Sequence, residues 1–257
     1  MNMINIFIGK TEMNNFKILY RISSQGNPLG RTELSNTELA GITRQDCFNN
    51  LVKVFGTVNL IVIADNANDD VISFLKSKGI DDIERTNLGN TNSFRYILHK
   101  AISEFDDNDI IYFLEDDYVH NYGAEKIIKE GIEISDYLTL YDNKDKYIDT
   151  DKGGDNPFVY GGGEDTKVMI TNSCHWKITN AFTMSFASKV KTLKEDYDTI
   201  IKYCPLNAPH PMDFLLCREL ATQKNRKLIS PIPGYSSHIG LNMSPFVPWV
   251  KLLKGEL

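Results

Sequence analysis

The first half of the chain alternates short apolar runs with segments of helical period, and this alternation most restricts the possible fold. The apolar runs predict four strands, at residues 16–22, 58–64, 83–86 and 110–114. The segments between them predict three helices, at residues 44–55, 69–78 and about 91–105. Because strands that alternate with helices pair in parallel through right-handed crossovers, the sequence predicts an α/β fold with helices on both faces of a mostly parallel sheet.

The second half of the chain has a different pattern. Alternating runs at 168–187, interrupted near Asn172 and Ser173, predict antiparallel strands added to the sheet. No linker separates two independent units, so we expect one domain, residues 1–257, with a parallel half and a mixed, partly antiparallel half. The remaining predicted elements are a helix at 123–135, a strand at 137–141, a long polar loop at 142–165, helices at 188–203 and after Pro211, and a strand at 228–230.

Composition limits the class of protein. Hydrophobic residues make up 42% of the 257 residues and charged residues 24%, which are ordinary values for a soluble globular protein. The net charge of −6 argues against a general nucleic-acid binder. Four cysteines occur without a C-x-x-C pair, which argues against a zinc site or a disulfide framework. With no membrane-length apolar segment and no signal-peptide pattern, we expect a soluble, cytoplasmic protein.

An acidic triplet follows the fourth predicted strand directly. The apolar run 110–114 leads into Glu115, Asp116 and Asp117, and adjacent carboxylates repel one another and lose solvation when buried. A solvated turn is one explanation for such a cluster. The other is a divalent cation such as Mg²⁺ or Mn²⁺, which prefers oxygen ligands and often takes one or two carboxylates together with substrate phosphates.

Two other strand ends carry polar residues that belong at the same edge of the sheet, where ligands of open α/β folds bind. Asp65 and Asn66 end the second strand, and a carboxylate there can accept a hydrogen bond from a ribose hydroxyl or a base. The alternative is that Asn66 or Asn68 caps the next helix. The residues at the end of the first strand are Arg21, Ile22, Ser23 and Ser24.

Three further residues are candidates with simpler alternatives. Arg95, about one turn into a helix, can bind a phosphate, although an arginine on a helix is commonly solvated. Asp213 follows Pro211 at a predicted helix start, where it either serves as a general base, with His210 as a competitor, or stabilises the helix dipole. His238 lies in a loop of small residues and is either a surface residue or a metal ligand.

Together these residues resemble the glycosyltransferases of the GT-A fold, which use a nucleotide-diphosphate sugar and usually a divalent metal. The Glu115-Asp116-Asp117 triplet resembles the D-x-D-type motif, although it opens with Glu. Asp213 corresponds to the base of the x-E-D motif, although Met212 replaces the neighbouring acid. His238 matches a C-terminal metal-binding histidine, and the segment 176–185 resembles the strand and loop that face the donor sugar and the acceptor. The likeness extends over roughly residues 16–240 and includes small viral and bacterial glycosyltransferases.

The resemblance implies one GT-A (Rossmann-like) domain with a nucleotide-binding half at about 16–120 and an acceptor or catalytic half at about 121–257. The implied reaction is metal-dependent, inverting transfer of a sugar, with a UDP-sugar favoured as donor, to a hydroxyl of a glycan or another acceptor. In this scheme Asp213 is the catalytic base, and Asp117 and His238 hold Mn²⁺ or Mg²⁺. The implied donor-binding residues are Arg21, Ile22, Ser23, Asp65, Asn66, Arg95, Glu115 and Asp116.

Two other classes of function remain open. A nucleotidyltransferase on a related scaffold would also use acidic metal ligands. It would normally have a glycine- and lysine-rich phosphate loop early in the chain, for which Gly26-x-x-x-Gly30-Arg31 is a poor substitute. A non-catalytic sugar-nucleotide-binding module would keep the fold without the chemistry.

Overall fold

A nine-stranded mixed sheet forms the centre of the fold, and helices cover both of its faces. The computed structural model describes residues 15–24, 42–142, 144–239 and 246–256. The described residues form these strands: β1 (Phe16–Ile22), β2 (Leu60–Asp65), β3 (Ile83–Thr86), β4 (Ile110–Glu115), β5 (Tyr118–His120), β6 (Tyr137–Leu138), β7 (Val159–Tyr160), β8 (Gly163–Glu164), β9 (Val168–Ile170), β10 (His175–Ile178), β11 (Phe186–Lys189), β12 (Leu228–Ile232) and β13 (Ser236–His238). Their α-helices are α1 (Arg44–Phe55), α2 (Asp69–Ser77), α3 (Asn90–Glu104), α4 (Ala124–Ile132), α5 (Val190–Glu195), α6 (Tyr197–Lys202), α7 (Asp213–Thr222) and α8 (Trp249–Lys254).

The strand order divides the sheet into two parts. The order is β3-β2-β1-β4-β11-β6-β12-β10-β9. The strands β1 to β4 pair in parallel, so their carboxyl ends lie at one edge of the sheet. The strand β11 pairs antiparallel with β4, and the pairing beyond it is mixed. The predicted fold class, with a parallel half and a mixed half, is therefore confirmed.

Side chains of β1 alternate between two hydrophobic layers, because successive residues of a strand point to opposite faces. Ile18 and Tyr20 belong to the layer that contains residues of α1, α2 and α4. Leu19 belongs to the layer that contains residues of α3, α5, α6 and α7. Burial on both faces is what the nearly continuous apolar runs of the first half require.

The strand predicted at 58–64 is shorter in the structure. The strand β2 begins at Leu60, because residues 57–59 form a turn in which Val58 is 91% exposed. The strand predicted at 137–141 is likewise reduced to the two residues of β6. In both places an apolar residue of the predicted strand lies outside the observed one: Val58 precedes β2, and Leu140 follows β6.

The single helix predicted at 188–203 is two helices, α5 and α6, which are divided at Asp196. The Asp196 carboxylate is buried and accepts hydrogen bonds from the Tyr137 hydroxyl and the Arg226 guanidinium. These are contacts between residues distant in the sequence, so the helical period of the segment does not reveal them.

A buried ion-pair network fastens the loop predicted at 142–165 to the sheet. The loop contains two short 3₁₀ helices and the hairpin formed by β7 and β8. Lys177 of β10 places its ammonium 3.0 Å from a carboxylate oxygen of Asp142 and 3.0 Å from one of Glu164. All three side chains are buried, at 2–3% exposure. The network therefore joins both ends of the loop to one strand.

The possible phosphate loop and the possibility of a membrane-spanning helix were both considered from the sequence. The segment Gly26–Arg31, considered above as a phosphate loop, lies outside the described residues. Within the described ranges, none of the helices has the length and apolar character needed to cross a membrane.

Candidate active site

A cavity of about 400 Å³, the sheet-edge cavity, opens where the parallel strands β1, β2 and β4 end. This is the edge at which open α/β sheets bind ligands. The starts of α1 and α3 complete the wall. The lining residues are Arg21, Ile22, Ser23, Arg44, Asp65, Asn66, Gly89, Asn90, Ser93, Glu115, Asp116 and Asp117. The structure thus brings together all the residues predicted at the ends of these three strands except Ser24.

Arg21 connects two strand ends to the start of a helix. The register of β1 and β4 places Arg21 beside Glu115, and its Nη2 atom lies 2.9 Å from Glu115 Oε1. Its Nη1 atom donates hydrogen bonds to the carbonyl and side chain of Asn90 and to the Ser93 hydroxyl, at the start of α3. Burial raises the pKa of Glu115 above its usual value, and the charge of Arg21 partly offsets that rise.

Asp116 positions two neighbours at the cavity wall. Its Oδ2 atom accepts a hydrogen bond of 3.0 Å from the Ser23 amide and lies 3.3 Å from Arg44 Nη1. Arg44 also donates to the Ser23 carbonyl at 3.0 Å. Burial and the charge of Asp117 raise the pKa of Asp116 to about 7, against the effect of Arg44.

The sequence alone does not single out Arg44 or Ser93 as site residues. For Arg44 a signal exists, because a cation at the first position of a helix opposes the helix dipole. A residue type that opposes the local structural preference in this way is expected at functional sites. Ser93 is an ordinary residue for the first turn of a helix, so nothing in the sequence distinguishes it. Asn90 follows Gly89, and a glycine that allows close approach of the backbone is a loose sequence signal for this part of the site.

Asp117 and His238 meet through a separate two-stranded sheet. The pairing of β5 with β13 places Tyr118 opposite His238, and the Ile239 amide donates to the Asp117 carbonyl at 2.9 Å. The His238 Nε2 atom lies 2.9 Å from Asp117 Oδ2. Burial raises the pKa of Asp117, but the charge of His238 and its hydrogen bond outweigh burial and leave the pKa below its usual value. The same contact raises the pKa of His238, although burial opposes the change.

The Asp117–His238 pair fits the requirements of a divalent cation. The Oδ1 atom of Asp117 is buried and has no hydrogen-bond partner among the described residues. The 2.9 Å between Asp117 Oδ2 and His238 Nε2 suits two adjacent ligands of an octahedral ion with bonds of about 2.1 Å. In the part of the chain that the structure describes, no group of three or more His, Cys, Asp or Glu residues could hold a metal ion. Other ligands would therefore be phosphate and water oxygens, as is usual for Mg²⁺.

The Asp65 carboxylate accepts hydrogen bonds that hold the loop following β3. Its Oδ1 atom accepts from the Thr86 hydroxyl at 2.8 Å and the Leu88 amide at 2.7 Å. Its Oδ2 atom accepts from the Gly89 amide at 3.0 Å and the Asn66 side chain at 2.9 Å. Four hydrogen bonds fill the lone-pair sites of a carboxylate. The contact of Asp65 with a ribose or base stays a prediction, and it requires one of these bonds to be exchanged.

Arg95 lies outside the lining of the sheet-edge cavity. Its Nη1 atom donates to the Cys204 carbonyl at 2.8 Å and lies 3.5 Å from the Ile201 carbonyl, near the carboxyl end of α6. A cation is favourable at the carboxyl end of a helix. The structure therefore gives Arg95 a structural contact, and the predicted role in phosphate binding gains no geometric support.

Asp213 lines a second, smaller cavity of about 190 Å³, the Asp213 cavity. Asp213 is the first residue of α7, and its Oδ1 atom accepts a hydrogen bond of 2.7 Å from the Phe214 amide. Burial raises the pKa of Asp213 above its usual value. The competing candidate His210 is exposed and is absent from the lining. The lining residues are Tyr141, Asp145, Lys146, Asp155, Asn156, Ala181, Phe182, Thr183, Asp213 and Phe214.

Tyr118 lies between the two cavities. Its hydroxyl donates a hydrogen bond of 2.7 Å to Thr183, which lines the Asp213 cavity. The centroid of its ring lies 5.2 Å from that of the His238 imidazole. The residue before Tyr118, Asp117, lines the sheet-edge cavity. The two cavities are therefore neighbours.

Comparison with known proteins establishes the fold. No protein-family model and no curated protein sequence matches the chain. The structure is similar to that of GalNAc-T7 with UDP, GalNAc and Mn²⁺, with a TM-score of 0.52 and 10% sequence identity over 91% of this chain. The chain spans 45% of the length of that protein.

Two nucleotidyltransferase structures are also similar, at lower scores. A CMP-2-keto-3-deoxy-manno-octonic acid synthetase complexed with CTP has a TM-score of 0.48 and 14% identity, over 95% of this chain and all of the other. A cytidylyltransferase from Leptospira borgpetersenii has a TM-score of 0.45 and 14% identity, over 84% of this chain and 75% of the other. The similarity to GalNAc-T7, at 10% identity, concerns the fold alone, and the chain shares with it a mixed α/β fold of the GT-A or Rossmann-like kind.

Proposed function

We propose that the protein is a metal-dependent glycosyltransferase that moves a sugar from a nucleotide-diphosphate donor to a hydroxyl of a glycan or similar acceptor. The observation that carries the proposal is the contact of Asp117, which lines the sheet-edge cavity, with His238, together with the half-buried Asp213 in the neighbouring cavity. The fold shared with GalNAc-T7, whose structure holds UDP, GalNAc and Mn²⁺, supports UDP as the favoured nucleotide and Mn²⁺ or Mg²⁺ as the cation.

The charges of the sheet-edge cavity support the need for a cation. Among the described lining residues, Arg21 and Arg44 face four carboxylates, which leaves a formal net charge of −2. Both arginines already form ion pairs, with Glu115 and Asp116 respectively. A diphosphate would add negative charge to this surface, and like charges at short range are unfavourable. A divalent cation would neutralise this formal charge and, once bound, would stabilise the charge that develops on the leaving diphosphate.

The other residues of the cavity have separate roles in the proposed donor complex. Arg21, Ile22 and Ser23 at the end of β1, together with Asp65 and Asn66 at the end of β2, would contact the nucleoside. Their positions at adjacent strand ends support this assignment. Glu115 and Asp116 would act mainly by orienting the two arginines.

Asp213 would act as the general base. Its carboxylate takes the proton of the acceptor hydroxyl while that oxygen forms a bond to the anomeric carbon. The bond from this carbon to the diphosphate oxygen breaks, and its electron pair leaves with the diphosphate. Because a single base acts on the face opposite the leaving group, the proposal predicts inversion at the anomeric carbon.

The Asp213→Asn variant tests the proposal. We expect donor binding to persist and transfer to fall by about 10²–10⁴-fold, which is the usual contribution of a general base. The measurement is release of nucleoside diphosphate from UDP-sugars in the presence of Mn²⁺ and an acceptor mixture. The control is Asp198→Asn, because Asp198 is an exposed acid in the first turn of α6 and has a comparable position relative to its helix dipole.

Other products would support the competing classes of function. Release of pyrophosphate from a nucleoside triphosphate would show a nucleotidyltransferase. Tight binding of a sugar nucleotide without any release of diphosphate would show a binding module. Unchanged transfer by Asp213→Asn would remove Asp213 from the mechanism.

A further inference from the structure

The Asp213 cavity has an excess of carboxylates. Asp145, Asp155 and Asp213 line it, and Lys146 is the one cation among its described lining residues. The Lys146 ammonium is already engaged, because it donates to Thr179 Oγ1 at 2.6 Å and to the Ala181 carbonyl at 2.7 Å. Burial also lowers the pKa of Lys146. The cavity therefore has little positive charge available for an anionic group.

Two cations that the structure describes near the cavity, Lys177 and Arg218, do not correct this excess. Lys177 lies between Asp142 and Glu164, which neutralise it. Arg218 lies over the Phe158 ring, 4.1 Å from its centroid, and is not part of the lining. Among the described residues around the cavity, an anionic group would consequently meet more carboxylates than available cations, and like charges at short range repel one another.

The remaining lining suits a ring that carries both hydroxyl groups and C–H faces. Tyr141, Phe182 and Phe214 provide aromatic surface, and Phe214 is stacked on Phe158 with ring centroids 6.0 Å apart. Aromatic faces bury apolar surface, and carboxylates accept hydrogen bonds from hydroxyl groups. The volume of about 190 Å³ is below the ~300–1,000 Å³ of pockets for drug-sized ligands, so it suits one ring better than an extended chain.

We propose that the acceptor group bound in the Asp213 cavity is a single uncharged sugar ring, and that Asp145 and Asp155 exclude sugars that carry a carboxylate, phosphate or sulfate. This inference rests on the proposed glycosyltransferase function and adds the chemical class of its acceptor. The selectivity comes from repulsion by groups built into the wall, which is a common source of specificity.

Matched pairs of acceptors test the inference. Methyl glucoside and methyl galactoside would each be compared with the methyl glycoside of the corresponding uronic acid, which differs only by a carboxylate at C6. At pH 8, where carboxyl groups are ionised, we expect kcat/KM for each acid to be at least about 100-fold below that of its neutral partner. Asp155→Asn should reduce this ratio by about 10-fold or more, since it removes one repelling charge. The control Asp151→Asn alters an exposed residue of the same loop and should leave the ratio unchanged.

Hydrolysis of the donor by water separates failure of the inference from failure of the proposed function. If UDP-sugar hydrolysis occurs but the uronic acids are used as well as the neutral sugars, the inference is overturned and the glycosyltransferase proposal stands. If the enzyme transferred sugar to serine or threonine peptides and to none of the glycosides, the inference would also be overturned, and the glycosyltransferase proposal would stand. Absence of both hydrolysis and transfer with all sugar nucleotides would reject the proposed function, and the acceptor class with it.

Discussion

At the scale of single residues, the contact between Asp117 and His238 determines whether the site depends on a metal. Asp117→Ala removes a carboxylate that lies 2.9 Å from His238 Nε2 and whose second oxygen is buried with no hydrogen-bond partner in the described part of the chain. We expect Mn²⁺-dependent binding of UDP to weaken at least about 100-fold, because even the outer partners of metal ligands contribute about 10–100-fold. Titration calorimetry of UDP with and without Mn²⁺ measures the effect.

The control for this measurement is His99→Ala, which removes an exposed imidazole on α3. His238→Ala should behave as Asp117→Ala does, since both side chains would be ligands of one ion. Equal UDP affinity in Asp117→Ala and the unmodified protein, with Mn²⁺ present, would show that the pair is only a structural contact.

The raised pKa of Asp213 predicts the pH dependence of transfer. A general base acts only when deprotonated, and burial raises the pKa of Asp213 above the ordinary value of about 3.9. We therefore expect kcat/KM to decrease as the pH falls through the raised pKa, at a higher pH than for an ordinary carboxyl group. A pH profile of transfer at saturating Mn²⁺ would show this acidic limb. If kcat/KM of Asp213→Asn decreased over the same pH range, a group other than Asp213 would be responsible for the decrease.

The candidate residues differ in how far the sequence reveals their positions. Glu115 ends the buried strand β4 and Asp117 lies two residues beyond it, and the sheet topology places both at the ligand-binding edge. The role of Arg44 depends on its contact with Asp116, which joins residues 72 positions apart. The approach of His238 to Asp117 depends on the pairing of β5 with β13, which the sequence does not predict because both strands have only three residues.

At the scale of secondary structure elements, the network around Lys177 holds the loop that contributes Asp155 to the Asp213 cavity. Lys177→Met would leave the buried carboxylates of Asp142 and Glu164 without their shared cation. Loss of one partner from a buried ion pair typically destabilises a protein by about 3–5 kcal/mol. Denaturant unfolding of the variant should show a decrease of this size in the free energy of unfolding.

Lys167→Met is the matched control, because Lys167 is exposed and immediately precedes β9, the strand paired with β10. Its free energy of unfolding should change by no more than about 0.5 kcal/mol, as for most surface substitutions. If Lys177→Met were no less stable than this control, the network would not be what holds the loop.

Helices of the first half are predictable from local signals, and those of the second half less so. The helix α1 begins after Thr43, which forms a reciprocal capping box with Asp46, and α2 begins after Asn68, whose side chain accepts from the Val71 amide. These signals lie within a few residues of each helix start. The division of α5 from α6 depends on hydrogen bonds from Tyr137 and Arg226, which lie far away in the sequence.

At the scale of the whole molecule, the parallel half and the mixed half each contribute one of the two cavities, and Tyr118 joins them. The sheet-edge cavity is built from the ends of β1, β2 and β4, which the alternation of strands and helices predicts. The Asp213 cavity is built from α7 and from the loops that follow β6 and β10. Because its parts meet only through tertiary packing, the sequence identifies Asp213 as a candidate but does not predict the walls around it.

Ligand binding should stabilise the whole fold in a metal-dependent way. A ligand present at about 100 times its Kd adds about 2.7 kcal/mol to the free energy of unfolding, and about 1 kcal/mol raises Tm by 2–4 °C in a protein of this size. We therefore expect UDP with Mn²⁺ to raise Tm by about 5–10 °C at saturation.

UDP with EDTA should raise Tm far less, because the described residues that line the sheet-edge cavity have a formal net charge of −2 and repel a diphosphate. A thermal-shift panel of UDP, CTP and several sugar nucleotides, each with Mn²⁺ and with EDTA, provides the measurement. Mn²⁺ alone is the control, since two protein ligands without phosphate should hold the ion weakly. An equal shift for UDP in EDTA and in Mn²⁺ would mean that the two arginines bind the diphosphate without a cation, and the charge argument for the metal would fail.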